Sequence, residues 1–221
     1  MSTFDIDRAR RLVAARDFQS ALQAVAVAVE KSPDDASAWY FKGTVEMAAK
    51  RPAEALASAA RATSLSPGDA KAWLLAGSAA EELGDRRAAL EAYERAVAAA
   101  PRWGLAWNRV GTFAFDAGEL DKAERAFGQA VECDAGHARS WNNLAMVQIR
   151  RGRLDAAEES LKRAIAVWPD YSVAFRNLAR IAAARSDVRR RAAYETLAAR
   201  IEAIKSEEAA ATAGRQPAGI P

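Results

Sequence analysis

The sequence predicts an all-α array of about five helical hairpins followed by one closing helix, and three observations carry that prediction. Trp39, Trp73, Trp107 and Trp141 recur in equal steps, with Phe175 in the next slot. Alanines keep the same interval in two more registers: Ala21, Ala55, Ala89, Ala123 and Ala157, and Ala28, Ala62, Ala96, Ala130 and Ala164. Pro33, Pro67, Pro101 and Pro169 close the cycles, and Ala135 fills the remaining place. A fixed period of roughly 34 residues marks a stack of supersecondary units.

Spacing within a cycle defines its two elements. Trp73, Gly77 and Ala80 fall at i, i+4, i+7, one face of a first helix. Gly84 ends that helix because it tolerates positive φ. Ala89, Tyr93 and Ala96 share a face of the second helix, and Pro101 stops it. The small residue four places after each Trp is expected to make room for the indole. Each hairpin leaves an apolar face that only the next hairpin can cover.

Taken in order, the first hairpin runs from about Ser2 to Glu30, with Ala9, Leu12, Ala21 and Val25 inward. The second starts at Asp35, an N-cap residue, and Pro52 opens its second helix where a missing N–H is tolerated. The third covers Asp69 to Ala100, and the fourth and fifth begin near Trp103 and His137. A sixth first helix spans Tyr171 to Ala184. Arg191 then stands where alanine would recur, so the rest reads as a closing helix, capped by Ser186, with Tyr194, Leu197, Ile201 and Ile204 along an amphipathic seam. The expected divisions are residues 2–35, 36–69, 70–103, 104–137 and 138–171, then a half-repeat and cap over 172–205. Residues 206–221 have no core-forming pattern and are expected to lack order.

The Trp, the Leu-Gly pair at Leu83–Gly84, Ala89, Tyr93, Ala96 and Pro101 together resemble the tetratricopeptide repeat, over about residues 2 to 185. Departures are Asp5 in the first tryptophan slot, Ala135 for proline and Ala59 for the second-helix aromatic. The resemblance implies an all-α right-handed superhelical solenoid of about five such hairpins plus a C-terminal capping helix. It further implies that the first helices line a concave groove that holds peptides or helices.

Composition bounds the function classes. Of 221 residues, 51% are apolar, enough for a continuous core. No apolar run is long enough to span a bilayer, and Met1 to Asp7 shows no basic stretch followed by an apolar one, so a soluble cytoplasmic protein is expected. The single Cys133 rules out an internal disulfide and a cysteine-cluster metal site. Charge is uneven: residues 1–138 hold 17 Lys/Arg against 20 Asp/Glu, while 139–205 hold 14 against 7. A basic end could meet an acidic partner or nucleic acid, but no nucleic-acid-binding motif accompanies it, and a solvated, self-paired face is the plainer reading. Neither a phosphate loop nor a nucleophile–base pair is present, and His137 is isolated in a turn. No catalysis, cofactor or metal is therefore expected.

Function is expected on the first-helix faces turned away from the packing. That face presents Tyr40, Thr44 and Met47 in copy two, Leu74 and Ser78 in copy three, and Asn108, Thr112 and Phe115 in copy four. Copy five adds Arg139, Asn142, Asn143, Met146 and Ile149; the sixth adds Arg176, Asn177 and Arg180. Tyr40, Met47, Leu74, Phe115, Met146 and Ile149 are read as exposed apolar contacts outside the hairpin spine, a sign of an interaction surface. The asparagines can donate and accept at once, so a ladder of them could hold a peptide backbone, and the arginines could select acidic residues. The expected role is a non-catalytic adaptor or scaffold gripping a helix or extended segment of a partner protein; the alternative is self-association through the C-terminal helix or a terminal repeat.

Overall fold

The structure is a computed structural model that describes residues 3–213. Met1, Ser2 and residues 214–221 lie outside that range. Among the described residues there are twelve helices: α1 (Thr3–Ala14), α2 (Phe18–Lys31), α3 (Ala36–Ala48), α4 (Pro52–Leu65), α5 (Ala70–Glu82), α6 (Arg86–Ala99), α7 (Gly104–Asp116), α8 (Leu120–Cys133), α9 (Ala138–Arg150), α10 (Leu154–Val167), α11 (Ser172–Ala184) and α12 (Val188–Ala213). The helices divide into two compact units, residues 1–113 and 114–221, with the division inside α7.

The repeat period is visible in the local chemistry. Asp17, Asp35, Asp69 and Asp85 accept hydrogen bonds from backbone N–H groups at the starts of α2, α3, α5 and α6, which satisfies donors a helix start leaves open. Positions 16, 50, 84, 118, 152 and 186, each one repeat after the last, have positive φ between the paired helices. Three are glycine; Arg16, Lys50 and Ser186 hold the same left-handed turn against a steric cost. Each tryptophan indole donates back to the turn before its own helix: Trp39 to Pro33 O at 2.7 Å, Trp73 to Pro67 O and Trp107 to Pro101 O at 2.8 Å, and Trp141 to Ala135 O at 2.9 Å. The clamp survives the loss of proline at Ala135 because it uses a carbonyl, which every residue has.

Within the first unit, α1 to α3 enclose Ala9, Ala21, Val25, Val29, Ala38 and Val45, and Ala59, Leu75, Ala76 and Ala92 form the next cluster. Within the second, Ala114, Ala123, Phe127, Val131, Leu144 and Val147 form one cluster; Ala145, Ala157, Leu161, Leu178 and Ile181 anchor another.

The closing helix α12 packs along α11 as the second helix of the last hairpin, as the sequence predicts, and two expectations are corrected, the first about the bounds of that helix. Ala198, one repeat after Ala164, is 2% exposed at the matching contact. Asp187, not Ser186, caps α12, accepting from Arg190 N at 3.0 Å, while Ser186 is the left-handed turn residue. The helix then runs to Ala213, so residues 206–213 are helical; the remainder of the expected tail lies outside the described residues. The second correction concerns the glycine four after tryptophan. A Cβ at Gly77 would meet the ring of Tyr93 at 2.5 Å, so the glycine accommodates the second-helix tyrosine and not the indole. At Ala145 the facing residue is the smaller Leu161, in the same cluster, and a methyl fits.

Gly77→Ala should therefore cost about 1–3 kcal/mol in urea unfolding, an overpacking penalty against a fully buried ring. Gly43→Ala should cost less, since its nearest obstacle is the mobile end of Leu75 at 2.7 Å.

Candidate functional site: the first-helix faces

In the first unit the expected groove residues are more enclosed than the sequence reading holds. Tyr40 and Met47 are half-buried against Ala59, Leu75, Ala76 and Ala92. Ala59 replaces an aromatic, and small residues leave room that these neighbours share. Thr44 and Thr112 spend their hydroxyls on their own helices, donating to Phe41 O at 2.6 Å and Asn108 O at 2.9 Å. Leu74 is half-buried and Asn108 is buried. Ser78 lies 3.4 Å from the Tyr93 hydroxyl, which donates to Glu81 Oε2 at 2.6 Å. Arg109 faces the same carboxylate at 3.6 Å. Burial first, and then the Glu81 carboxylate, hold the Tyr93 hydroxyl above its ordinary pKa, so it remains a donor.

The second unit carries the more distinctive face. Phe115 packs against the cluster around Phe127 and Leu144, and Ile149 against Leu161, Leu178 and Ile181, so both serve the spine they were expected to leave. The asparagine ladder is internal: Asn177 Nδ2 donates to buried Asn142 Oδ1 at 2.8 Å. Arg180 donates to Asn177 Oδ1 at 3.2 Å and approaches Met146 Sδ at 3.3 Å. Asn143 and Met146 are half-buried, and Arg139 is exposed. Arg176 forms an ion pair with Glu202 of α12 at 2.8 Å. Thus Asn142, Asn177, Met146 and Arg180 are brought together, whereas Arg176 is engaged by the chain itself.

Sequence reasoning missed Arg150. Its guanidinium lies 4.4 Å from the centre of the Phe115 ring, a cation–π geometry. Phe115 and Arg150 are separated by one position more than the repeat interval, and that offset is the signal that could have paired them.

The arginines of this unit fall into two kinds. Arg151 contacts Asp121 and Glu124, and one repeat later Arg185 contacts Asp155 and Glu158. Arg153, Arg163, Arg190 and Arg191 also have carboxylate partners. Only Asp121 and Glu124 come from outside residues 139–205, so these pairs fix many of the guanidinium groups in place but leave most of the basic excess of that segment. Arg125, Arg139, Arg150, Arg180, Arg189 and Arg200 form no ion pair among the described residues; of these, Arg150 and Arg180 are set against neutral groups of the first-helix face, Phe115 for the one and Met146 and Asn177 for the other. No group of three or more His, Cys, Asp or Glu among the described residues is placed to hold a metal ion. No helix among them is long and apolar enough to cross a membrane.

Comparison with known proteins agrees with this geometry. Tetratricopeptide repeat profiles match residues 6–70 and 142–213, 104–170, and 70–102. The chain belongs to the tetratricopeptide repeat family. Among solved structures it is similar to MamA, at 24% identity over 75% of this chain and 90% of that one, with a TM-score of 0.65. It is similar to YrrB, described as a TPR protein with an unusual peptide-binding site, at 20% identity, 81% and 93% coverage and a TM-score of 0.68. PilF of Pseudomonas aeruginosa aligns at 14% identity over 86% of each chain, with a TM-score of 0.76. At these identities the likeness shows the fold. No curated protein matches.

The repeated ion pairs make a pH prediction. The hydrogen bond from Arg185 holds Glu158 below its ordinary value of 4.5. A lowered carboxylate pKa stabilises the folded state above the unfolded value and ceases to do so as pH falls through the folded one. Arg185→Gln should lower the melting temperature at neutral pH, and its gap from wild type should narrow as pH falls below the ordinary 4.5 of Glu158.

Proposed function

We propose that this chain is a non-catalytic interaction scaffold that binds an acidic, amphipathic helix or extended segment of another protein across the first helices of its second unit. The observation that carries this reading is the contrast between the two kinds of arginine. Arg180 lies against half-buried Met146 and Arg150 over the ring of Phe115, neither with a paired carboxylate, and Arg139 is exposed at the start of the same α9, while the arginines of the ion-pair ladder are neutralised. An exposed cationic face with apolar groups set into it complements carboxylates flanking an apolar side chain. Arg139 and Arg150 stand at opposite ends of α9, about 16 Å apart along its axis.

Preorganisation supports the same reading. Asn142 and Asn177 hold Arg180 in place, so little side-chain ordering remains for binding to oppose. Methionine adds an adaptable apolar contact, which suits partners of variable sequence. Family membership, and the peptide-binding site attributed to YrrB, are consistent with a protein or peptide ligand. We place this activity in the cytoplasm, as the composition suggests.

The test is affinity capture from the native host's lysate, followed by titration of the captured protein's acidic segment as a synthetic peptide. Arg139→Glu with Arg180→Glu should weaken that peptide at least about tenfold, or about 1.4 kcal/mol, and Met146→Asp should do the same. Arg163→Glu, on α10, should leave it unchanged. Equal binding by all variants would remove these faces as the site.

A further inference from the structure

The last helix carries a second apolar surface that the stack does not use. Among the described large apolar residues that remain exposed, Leu197 (44%) and Ile204 (46%) fall two helical turns apart on α12, on the same face of the helix. Ile201, half-buried, falls between them, and Ala193 extends the stripe by one turn. Arg190 stands at its N-terminal end and Glu208 at its C-terminal end, completing a 3–4–4–3–4 spacing over residues 190 to 208.

The surface of this helix that would receive another hairpin is charged. Hairpins stack through the positions of Ala157 and Leu161, both 0% exposed. In the sixth hairpin those positions are Arg191 and Glu195, exposed and paired with each other at 2.9 Å. A charged pair on the stacking surface resists burial under an apolar neighbour, so the array is closed and the remaining stripe suits a single helix.

We infer that the stripe docks against the same stripe of a second copy of this chain, with the two α12 helices antiparallel. Charge selects this occupant and this orientation. Arg189, Arg190 and Arg191 lie near the beginning of α12, where Arg190 also meets Asp187 at 3.5 Å and Arg191 meets Glu195, so that Arg189 adds a net positive charge, and Glu207 and Glu208 lie near its other end. Antiparallel pairing about a two-fold axis near residue 199 sets Arg190 opposite Glu208 and Leu197 opposite Ile201, twice each by symmetry. Parallel pairing would set like charges together. The contact spans about 27 Å of helix and belongs to the small end of specific interfaces, so the dimer is reversible and dependent on concentration. It uses a face other than the one proposed for the acidic partner and stands or falls separately.

The test is sedimentation equilibrium of the full chain over a concentration series, with helicity and melting of every variant checked first. Wild type should move from monomer to dimer, and Leu197→Glu with Ile204→Glu should remain monomeric; both residues are half-exposed, so the fold tolerates the change. Arg190→Glu alone and Glu208→Arg alone should each weaken the dimer about tenfold, and the two together should restore it. A chain that stays monomeric throughout, or a dimer indifferent to the Leu197 and Ile204 changes, overturns the proposal. Failure of the double charge exchange to restore association overturns the antiparallel arrangement on which it rests.

Discussion

Close approach of helices at alanine is the constraint on which the rest of the structure depends. Ala21, Ala55, Ala89, Ala123 and Ala157 are 0% exposed, as are Ala62, Ala96, Ala130 and Ala164. A side chain of one methyl lets two backbones approach, and repetition of that contact once per repeat holds successive helices at one spacing. Larger groups then fit only where a neighbour gives way. Tyr93 is wholly buried because Gly77 has no Cβ to oppose it, and the tyrosine hydroxyl in turn fixes the position of Glu81. The tryptophans act at a different level. Their indoles bond to carbonyls in the turn that closes the preceding repeat, which sets the angle at which each first helix leaves that turn.

The period, the hairpins, the cap at Asp35 and the helix opened by Pro52 were legible in the sequence because each depends on contacts close along the chain. The sixth hairpin was legible only in part. Arg191 breaks one alanine register, yet Ala198 keeps the other, and the intact register reports the packing while the broken one reports the end of the stack. The lining of the first helices was least legible. Helical position predicts which way Phe115 and Ile149 leave the backbone, but not that neighbouring helices come close enough to bury part of each. Nor does spacing along one helix show that Asn142 and Asn177 satisfy one another, since that bond joins two separate helices.

Charge follows the same division between what repeats and what does not. The Arg151 and Arg185 contacts are one interaction copied one repeat later, with Asp121 and Glu124 becoming Asp155 and Glu158. Such pairs are exposed and individually weak, but they hold Arg151 and Arg185 beside carboxylates at equivalent places of successive repeats. The uncompensated arginines occur outside that ladder, at positions the repeat does not prescribe.

Buried polar pairs show why a departure from the repeat need not signify function. Glu46 and Ser58 are buried and hydrogen-bonded at 2.6 Å, with Lys42 completing the charge at 3.1 Å. Three repeats on, Gln148 and Ser160 occupy the same two positions and bond at 2.8 Å. Between them the positions are Ala80 with Ala92, and Ala114 with Ala126, all buried. Either both members of the pair are polar or neither is, because one polar atom alone would be left buried without a partner. The change is compensated inside the hairpin, and the surface does not register it. Arg139, Arg150 and Arg180 differ in kind: each departs from the repeat with no carboxylate beside it to balance the charge.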